Sequence, residues 1–93
     1  MVNVTEWDAS KYLNTEQDII DYLDAAAETG DPALMQAAIG DVAKARGMGQ
    51  IAKEAGVGRE SLYKSLSKDG NPSFQTILKV IHVLGGRISI QAA

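Results

Sequence analysis

The stretch from Met48 to Ser67, MGQIAKEAGVGRESLYKSLS, predicts two short helices joined by a tight turn at Gly56-Val57. Gly56 suits the turn because glycine adopts a left-handed backbone conformation without a steric penalty. Ala52 is small where two helices in this arrangement would cross closely. The apolar face that the two helices share is predicted to comprise Ile51, Ala55, Val57, Leu62 and Leu66. This pattern is typical of a helix-turn-helix, whose second helix enters the major groove of DNA.

The outward face of the second predicted helix carries the side chains that are candidates for reading DNA. Arg59 lies in the first turn, where a guanidinium can reach O6 and N7 of guanine with two hydrogen bonds. The alternative for Arg59 is a phosphate contact or a salt bridge to Glu60. Tyr63 packs on a thymine methyl or a phosphate, or else it is a half-buried ring at the edge of the motif. Lys64 is predicted to contact a phosphate.

Polar residues around this helix are candidates for holding the DNA backbone. Gln50 and Ser61 lie near helix starts, where hydroxyl and amide donors often contact phosphates. Gly58 has no side chain, so its backbone can approach a phosphate. The loop after the second helix is well placed for the flanking phosphate, although ordinary surface and turn positions are the alternative. The predicted DNA-binding set is Gln50, Gly58, Arg59, Glu60, Ser61, Tyr63, Lys64, Lys68, Asn71 and Ser73.

The charges of this 93-residue chain are divided between its two halves, although its net charge is only −3. Residues 1–42 hold nine acidic residues and one basic residue, a net charge of −8. Residues 43–93 hold eight basic and three acidic residues, a net charge of +5. This asymmetry suggests a polyanion as partner of the basic half and a basic protein as partner of the acidic half. The alternative is that both halves are ordinary solvated surfaces.

The composition excludes several classes of protein. A chain of this length makes one small domain with little room for a deep enzymatic cleft. It has no cysteine, which excludes disulfides and zinc-thiolate sites and fits a reducing cytoplasm. His82, the single histidine, has no orienting partner, so we expect no catalytic residue, metal site or cofactor. No apolar run approaches the roughly 20 residues of a membrane span. We therefore expect a cytoplasmic protein that is not an enzyme.

The rest of the chain predicts three further helices and one strand. Thr15 and Asp31 are candidate caps for helices over about 15–29 and 32–46, and a last helix is expected over about 73–84. The apolar residues expected to face the core are Ile19, Ile20, Leu23, Ala26 or Ala27, Leu34, Ala38, Ile39, Val42, Ala45, Phe74, Ile77, Leu78, Ile81 and Leu84. After them apolar and polar residues alternate over 87–91, which predicts a strand that needs a partner strand from another chain.

Several segments give the chain a family resemblance. With Ile51-Ala52, Ala55-Gly56-Val57 and Leu62 in place, it resembles the phage-repressor (Xre-type) helix-turn-helix family. It is more closely similar to addiction-module antidote proteins, the antitoxins of two-gene operons. That similarity covers DASKYLNTEQDIIDYLDAA, GDPALMQAAIGDVAKARGMGQIAKEAGVGRESLYKSLS and GNPSFQTILKVIHVLGGRISI. The resemblance implies a protein that neutralises a basic toxin, commonly of the RelE/ParE superfamily, and represses the shared operon.

The expected fold is all-α: a small helical domain with a phage-repressor-like helix-turn-helix, an extra N-terminal helix and a short C-terminal β-strand. We divide it into an arm and acidic helix, residues 1–31, and a helix-turn-helix region with the strand, residues 32–93. A single recognition helix buries too little DNA for strong specificity, so a homodimer on double-stranded operator DNA is expected. The alternatives are a stand-alone transcriptional regulator without a toxin, and an interaction module that does not bind DNA.

The N-terminal part supplies the candidates for binding the toxin. Aromatic side chains dominate the energetics of protein interfaces, and opposite charge speeds association. Trp7, Tyr12 and Leu13 are therefore candidate anchors, with Asp18 and Asp21 as candidate acidic contacts. The alternative for the arm is that it folds back and covers the core of its own chain.

Overall fold

Residues 13–93 are described by the computed structural model, and within them the chain forms five α-helices around one hydrophobic core. The helices are α1 (Glu16–Glu28), α2 (Pro32–Arg46), α3 (Met48–Ala55), α4 (Arg59–Leu66) and α5 (Phe74–Val83). The all-α class is confirmed for this part of the chain.

Three of the helices begin at side-chain caps. The Thr15 side chain accepts a hydrogen bond from the backbone N–H of Asp18, and the Asp18 carboxylate accepts one from the N–H of Thr15. Two free N–H groups of α1 thereby gain partners. Asp31 caps α2 ahead of Pro32, and Ser73 caps α5. The caps that the sequence predicts therefore fix where α1 and α2 begin.

The central element is α2, which packs against α1, α3 and α4. Its buried residues are Ala38, Ile39, Gly40, Val42 and Ala43. Three of these five are small, which lets neighbouring helices approach closely. At Gly40 a Cβ atom would lie 3.1 Å from the carbonyl oxygen of Leu66, at the end of α4. Because α2 is covered on several sides, it also buries Gly40 and Ala43, which the sequence did not predict to face the core.

Most of the predicted core positions are buried. These are Ile19, Leu23, Ala26, Ala38, Ile39, Val42, Ile51, Ala52, Ala55, Leu62, Leu66, Ile81 and Leu84. The prediction is wrong at Leu34, Phe74 and Leu78, which are exposed by 46, 68 and 39%. In α5 the covered stripe runs through Val80 and Ile81, so Leu78 falls on the adjoining face.

The predicted C-terminal strand is wrong. Residues 87–93 form no strand, and Ile90 is 93% exposed. Alternating residues define two faces, but a strand also needs a neighbour that supplies ladder hydrogen bonds. Within the described residues no second strand lies alongside. Gly85 and Gly86 follow α5, and beyond them the tail passes over a cleft that Ile88 lines together with Ile20 of α1.

Two apolar residues of similar size on α2, Ile39 and Leu34, allow a test of this packing. We predict that Ile39→Ala lowers the free energy of unfolding by about 2–5 kcal/mol, because Ile39 is fully buried. Leu34→Ala should cost much less than Ile39→Ala, because 46% of Leu34 is already exposed to solvent. Urea denaturation followed by circular dichroism measures both. A similar loss for the two variants would mean that α2 buries the face predicted from the sequence.

Candidate nucleic-acid interface

The turn between α3 and α4 has the geometry that the sequence predicts. Gly56 adopts the left-handed conformation, with φ 72° and ψ 33°. The N–H of Val57 donates to the carbonyl of Ala52 at 2.9 Å, which closes the end of α3. Gly58 then starts α4 in an extended conformation, without a side-chain cap. Ala52 and Leu62 are almost completely buried between the helices, so the other side of α4 stays open.

The open side of α4 gathers most of the predicted DNA-binding side chains. The exposed residues of this helix are Arg59, Glu60, Ser61, Tyr63 and Lys64. Leu62 and Leu66 point the opposite way and are buried. Helical spacing therefore puts Arg59, Tyr63 and Lys64 on a single exposed surface, which we call the α4 face; the acidic Glu60 lies between Tyr63 and Lys64 on the same side. Whether this surface contacts DNA stays a prediction.

The beginnings of α3 and α4 lie side by side at one edge of the α4 face. A Cβ atom built on Gly49 would lie 3.4 Å from Cδ and 3.5 Å from Nε of Arg59, so the arginine side chain passes over Gly49. Gln50 is exposed next to it, and its amide donates to the Glu54 carboxylate at 3.1 Å. The Arg59 side chain thus passes next to the start of α3, while the Gln50 amide already has a partner within the protein.

Lys44 of α2 joins the α4 face, which the sequence analysis did not predict. Its ammonium nitrogen lies 5.7 Å from the centre of the Tyr63 ring. A cation in this position over an exposed aromatic ring stabilises by about 0.5–1 kcal/mol. The contact orients the Tyr63 ring and extends the basic surface from α4 onto α2. No local pattern could have revealed it, because the two residues meet only through the packing of α2 on α4.

The loop after α4 carries the remaining predicted contacts. Lys68, Asn71 and Ser73 are all exposed. The Ser73 hydroxyl is already engaged, because it accepts from the backbone N–H of Thr76 and caps α5. The half-buried Gln36 of α2 donates to the carbonyl oxygens of Ser67 and Gly70 in this loop. The loop is therefore tied to α2 while Lys68 and Asn71 stay accessible.

A separate acidic surface runs along α1. Asp21, Asp24 and Glu28 are exposed and follow one another at three- and four-residue spacing, so they lie on one side of the helix. We call these three residues the acidic stripe. The Gln17 amide donates to the Asp21 carboxylate at 2.8 Å. The acidic stripe therefore carries three negative charges on α1, and α1 contributes no residue to the α4 face.

The other candidates for binding a toxin have different surroundings. The carboxylate of the half-buried Asp18 accepts a hydrogen bond in the capping box of α1, and Leu13 is buried in the core. Trp7 and Tyr12 lie outside the described residues. Of the candidates that the structure describes, Asp21 is thus the most exposed.

Tyr22 connects the acidic helix to the central helix. Its hydroxyl donates to the Asp41 carboxylate of α2 at 3.0 Å. Burial, together with the hydrogen bond to Asp41 and the negative charge of Asp41, raises the pKa of Tyr22 to about 12. The neutral phenol is therefore the form that the folded protein favours, and it fixes α1 on α2.

The described residues offer no other site of obvious chemistry. Among them no cluster of histidine, aspartate or glutamate is arranged to hold a metal ion. Nor does any helix in residues 13–93 have the length and apolar character to cross a membrane.

The chain has clear relatives. Residues 3–92 match the family model described as probable addiction module antidote protein. A Haemophilus influenzae protein described as uncharacterized is 41% identical over 86 residues, which cover 92% of this chain and 89% of that protein. No solved structure gives a significant match. The family match supports an antidote role, and an antidote implies a toxin as its partner.

The raised pKa of Tyr22 predicts a loss of stability in alkali. The folded state holds the phenol proton to about pH 12, whereas an unfolded tyrosine releases it near the ordinary value of 10.0. The contribution of Tyr22 is thus complete below about pH 10 and falls as the pH rises toward about 12. We expect the stability advantage of the natural protein over Tyr22→Phe to shrink across this range in urea denaturation. An advantage that does not change with pH would contradict the assignment.

Proposed function

We propose that this chain, which belongs to the family of probable addiction module antidote proteins, neutralises a toxin and also binds operator DNA to repress their shared operon. The observation that carries the DNA-binding part is the α4 face, an exposed basic surface on a short helix that follows a left-handed glycine turn. A helix held in this way can enter the major groove, and the basic residues around it can contact phosphates.

The surroundings of Arg59 and Tyr63 support distinct roles in DNA binding. Arg59 passes over Gly49 of α3 and Lys44 of α2 lies over the Tyr63 ring, so three helices contribute to the surface that would meet DNA. We assign base contact to Arg59 and phosphate contact to Lys64 and Lys44. In this proposal Glu60 and Ser61 flank the contact, and Gly58 brings the start of α4 close to the DNA backbone.

The separation of charge supports binding despite the net charge of −3. DNA attracts a protein through local basic surface, because the released counterions come from the phosphates that this surface covers. The acidic stripe lies on α1, and α1 packs on α2 rather than forming part of the α4 face. The molecule therefore presents a basic surface to DNA without requiring an overall positive charge.

The acidic stripe is our candidate for the toxin contact. A toxin of the RelE/ParE type with a basic surface would be drawn to Asp21, Asp24 and Glu28 by opposite charge. In this proposal Trp7 and Tyr12 of the arm supply aromatic anchors. Toxin and operator would then occupy different surfaces of one chain.

We further propose that the chain acts on DNA as a homodimer. The eight-residue α4 reaches only a few base pairs, so two copies would read half-sites one helical turn, about 34–36 Å, apart.

Substitutions on the α4 face test the DNA-binding proposal. Arg59→Ala should weaken binding to the chain's own promoter DNA by about 1–3 kcal/mol and relax base preference. Lys64→Ala should weaken all duplexes similarly and reduce the salt slope by about one. Fluorescence anisotropy across a salt series measures both effects. Lys79→Ala is the matched control, because this lysine is exposed on α5. If Arg59→Ala and Lys64→Ala affect binding no more than the control, the α4 face is not the DNA-binding surface.

A charge reversal on α1 tests the toxin contact. We predict that Asp24→Lys slows association with the purified toxin several-fold at low salt, because steering acts mainly on the on-rate. Asp69→Lys makes the same change of charge in the exposed loop after α4 and should leave association nearly unchanged. Stopped-flow fluorescence gives both rates. Equal slowing in the two variants would show that only the net charge matters, and the acidic stripe would lose its assignment.

A further inference from the structure

We propose that Gln36 is a positioning residue that ties the loop after α4, residues 67–73, to α2 and thereby sets how Lys68 and Asn71 meet the DNA backbone. This inference rests on the proposed DNA binding. Gln36 makes its contacts within the protein, so it would act through the loop rather than by touching DNA.

One amide group meets three backbone carbonyls. Nε2 of Gln36 lies 2.7 Å from the carbonyl oxygen of Ser67, 3.0 Å from that of Gly70 and 3.4 Å from that of Ser65. An amide has two hydrogens, so the two shorter contacts are its hydrogen bonds and the third is a weaker approach. Because these carbonyls come from the end of α4 and from both sides of the loop bend, one side chain holds the whole segment.

The end of α4 needs such a partner from outside the helix. The last carbonyls of a helix have no partner within it, and α4 does not end in a left-handed glycine. Ser67 is extended instead, and its N–H and hydroxyl both donate to the carbonyl of Lys64. Gln36 approaches the carbonyls of Ser65 and Gly70, and it shares the carbonyl of Ser67 with the N–H of Gly70.

Gly70 makes the arrangement possible from the loop side. A Cβ atom at this position would collide with the carbonyl groups of Lys64 and Ser65. Its N–H also donates to the carbonyl of Ser67 at 2.9 Å. Only a residue without a side chain allows the loop to fold back this far, and only then do its carbonyls come within reach of Gln36.

A tethered loop should strengthen binding through phosphate contacts. Lys68 neutralises a phosphate only when the loop places its ammonium group next to the DNA backbone, so a loop that has lost its tether would lose this contact. One phosphate contact contributes about 0.9 to the slope of log affinity against log salt concentration. Relative to about 1 M salt, this strengthens binding about eightfold at about 0.1 M and about threefold at about 0.3 M. Loss of the tether should therefore remove a contribution of this size, and the effect should fade as salt rises.

The test is a double-mutant cycle in promoter DNA binding with Gln36→Met, Lys68→Ala and the combined variant. Gln36→Met keeps the length of the side chain but removes its donors. We expect Gln36→Met to weaken binding up to about eightfold at about 0.1 M salt, to lower the salt slope by about one, and to add little to Lys68→Ala. Gln17→Met makes the same replacement at an exposed position of α1, and this variant should bind DNA like the natural chain.

The outcomes separate this inference from the proposed function. If the natural chain binds no promoter DNA, the proposed function fails. If it binds, but Gln36→Met has no effect or causes a loss that is independent of salt and additive with Lys68→Ala, Gln36 does not position the loop. Circular dichroism checks that each variant is folded. Should Gln36→Met unfold, Gln36→Leu removes the same donors with a shorter apolar side chain and enters the same cycle, with the same two results deciding.

Discussion

The packing of α2 against three other helices is the constraint on which the rest of the structure depends. A helix in this position needs a surface that is apolar in several directions and small where neighbours come close. Ala38, Gly40 and Ala43 provide the small positions, and Ile39 and Val42 fill the space between them. The contact of Gly40 with the end of α4 leaves only 3.1 Å for a Cβ atom, so this packing fixes the distance between α2 and α4.

The polar residues of α2 connect this core to both proposed binding surfaces. Gln36 holds the loop after α4, Lys44 lies over Tyr63 of the α4 face, and Asp41 accepts the hydrogen bond from Tyr22 of α1. Each connection joins a different element to the same rigid helix. Two surfaces of opposite charge can therefore keep a defined relation to each other in a small chain. In the proposed function one surface serves DNA and the other serves the toxin.

The sequence correctly predicted features that depend on neighbouring residues, such as turns and helix caps. It did not predict contacts between residues that are far apart in the chain. The turn at Gly56 and the caps at Thr15 and Asp31 depend on nearby residues, and they were predicted correctly. Apolar and polar residues alternate over 87–91, but this pattern does not show whether a neighbouring strand is present. No such strand lies beside this segment within the described residues, and the predicted strand was wrong. Lys44 and Gln36 could not be found because their partners are distant in sequence.

The central claim, that one chain offers α4 to DNA and α1 to a toxin, is tested most directly by nuclear magnetic resonance of the isotope-labelled protein. Amide resonances would be followed first during titration with the promoter duplex and then with the toxin. We predict that DNA shifts resonances of α4, of the loop after it and of Lys44, and that toxin shifts those of Asp21, Asp24 and Glu28 in α1. Shifts in α1 on adding DNA, with α4 unaffected, would contradict this account.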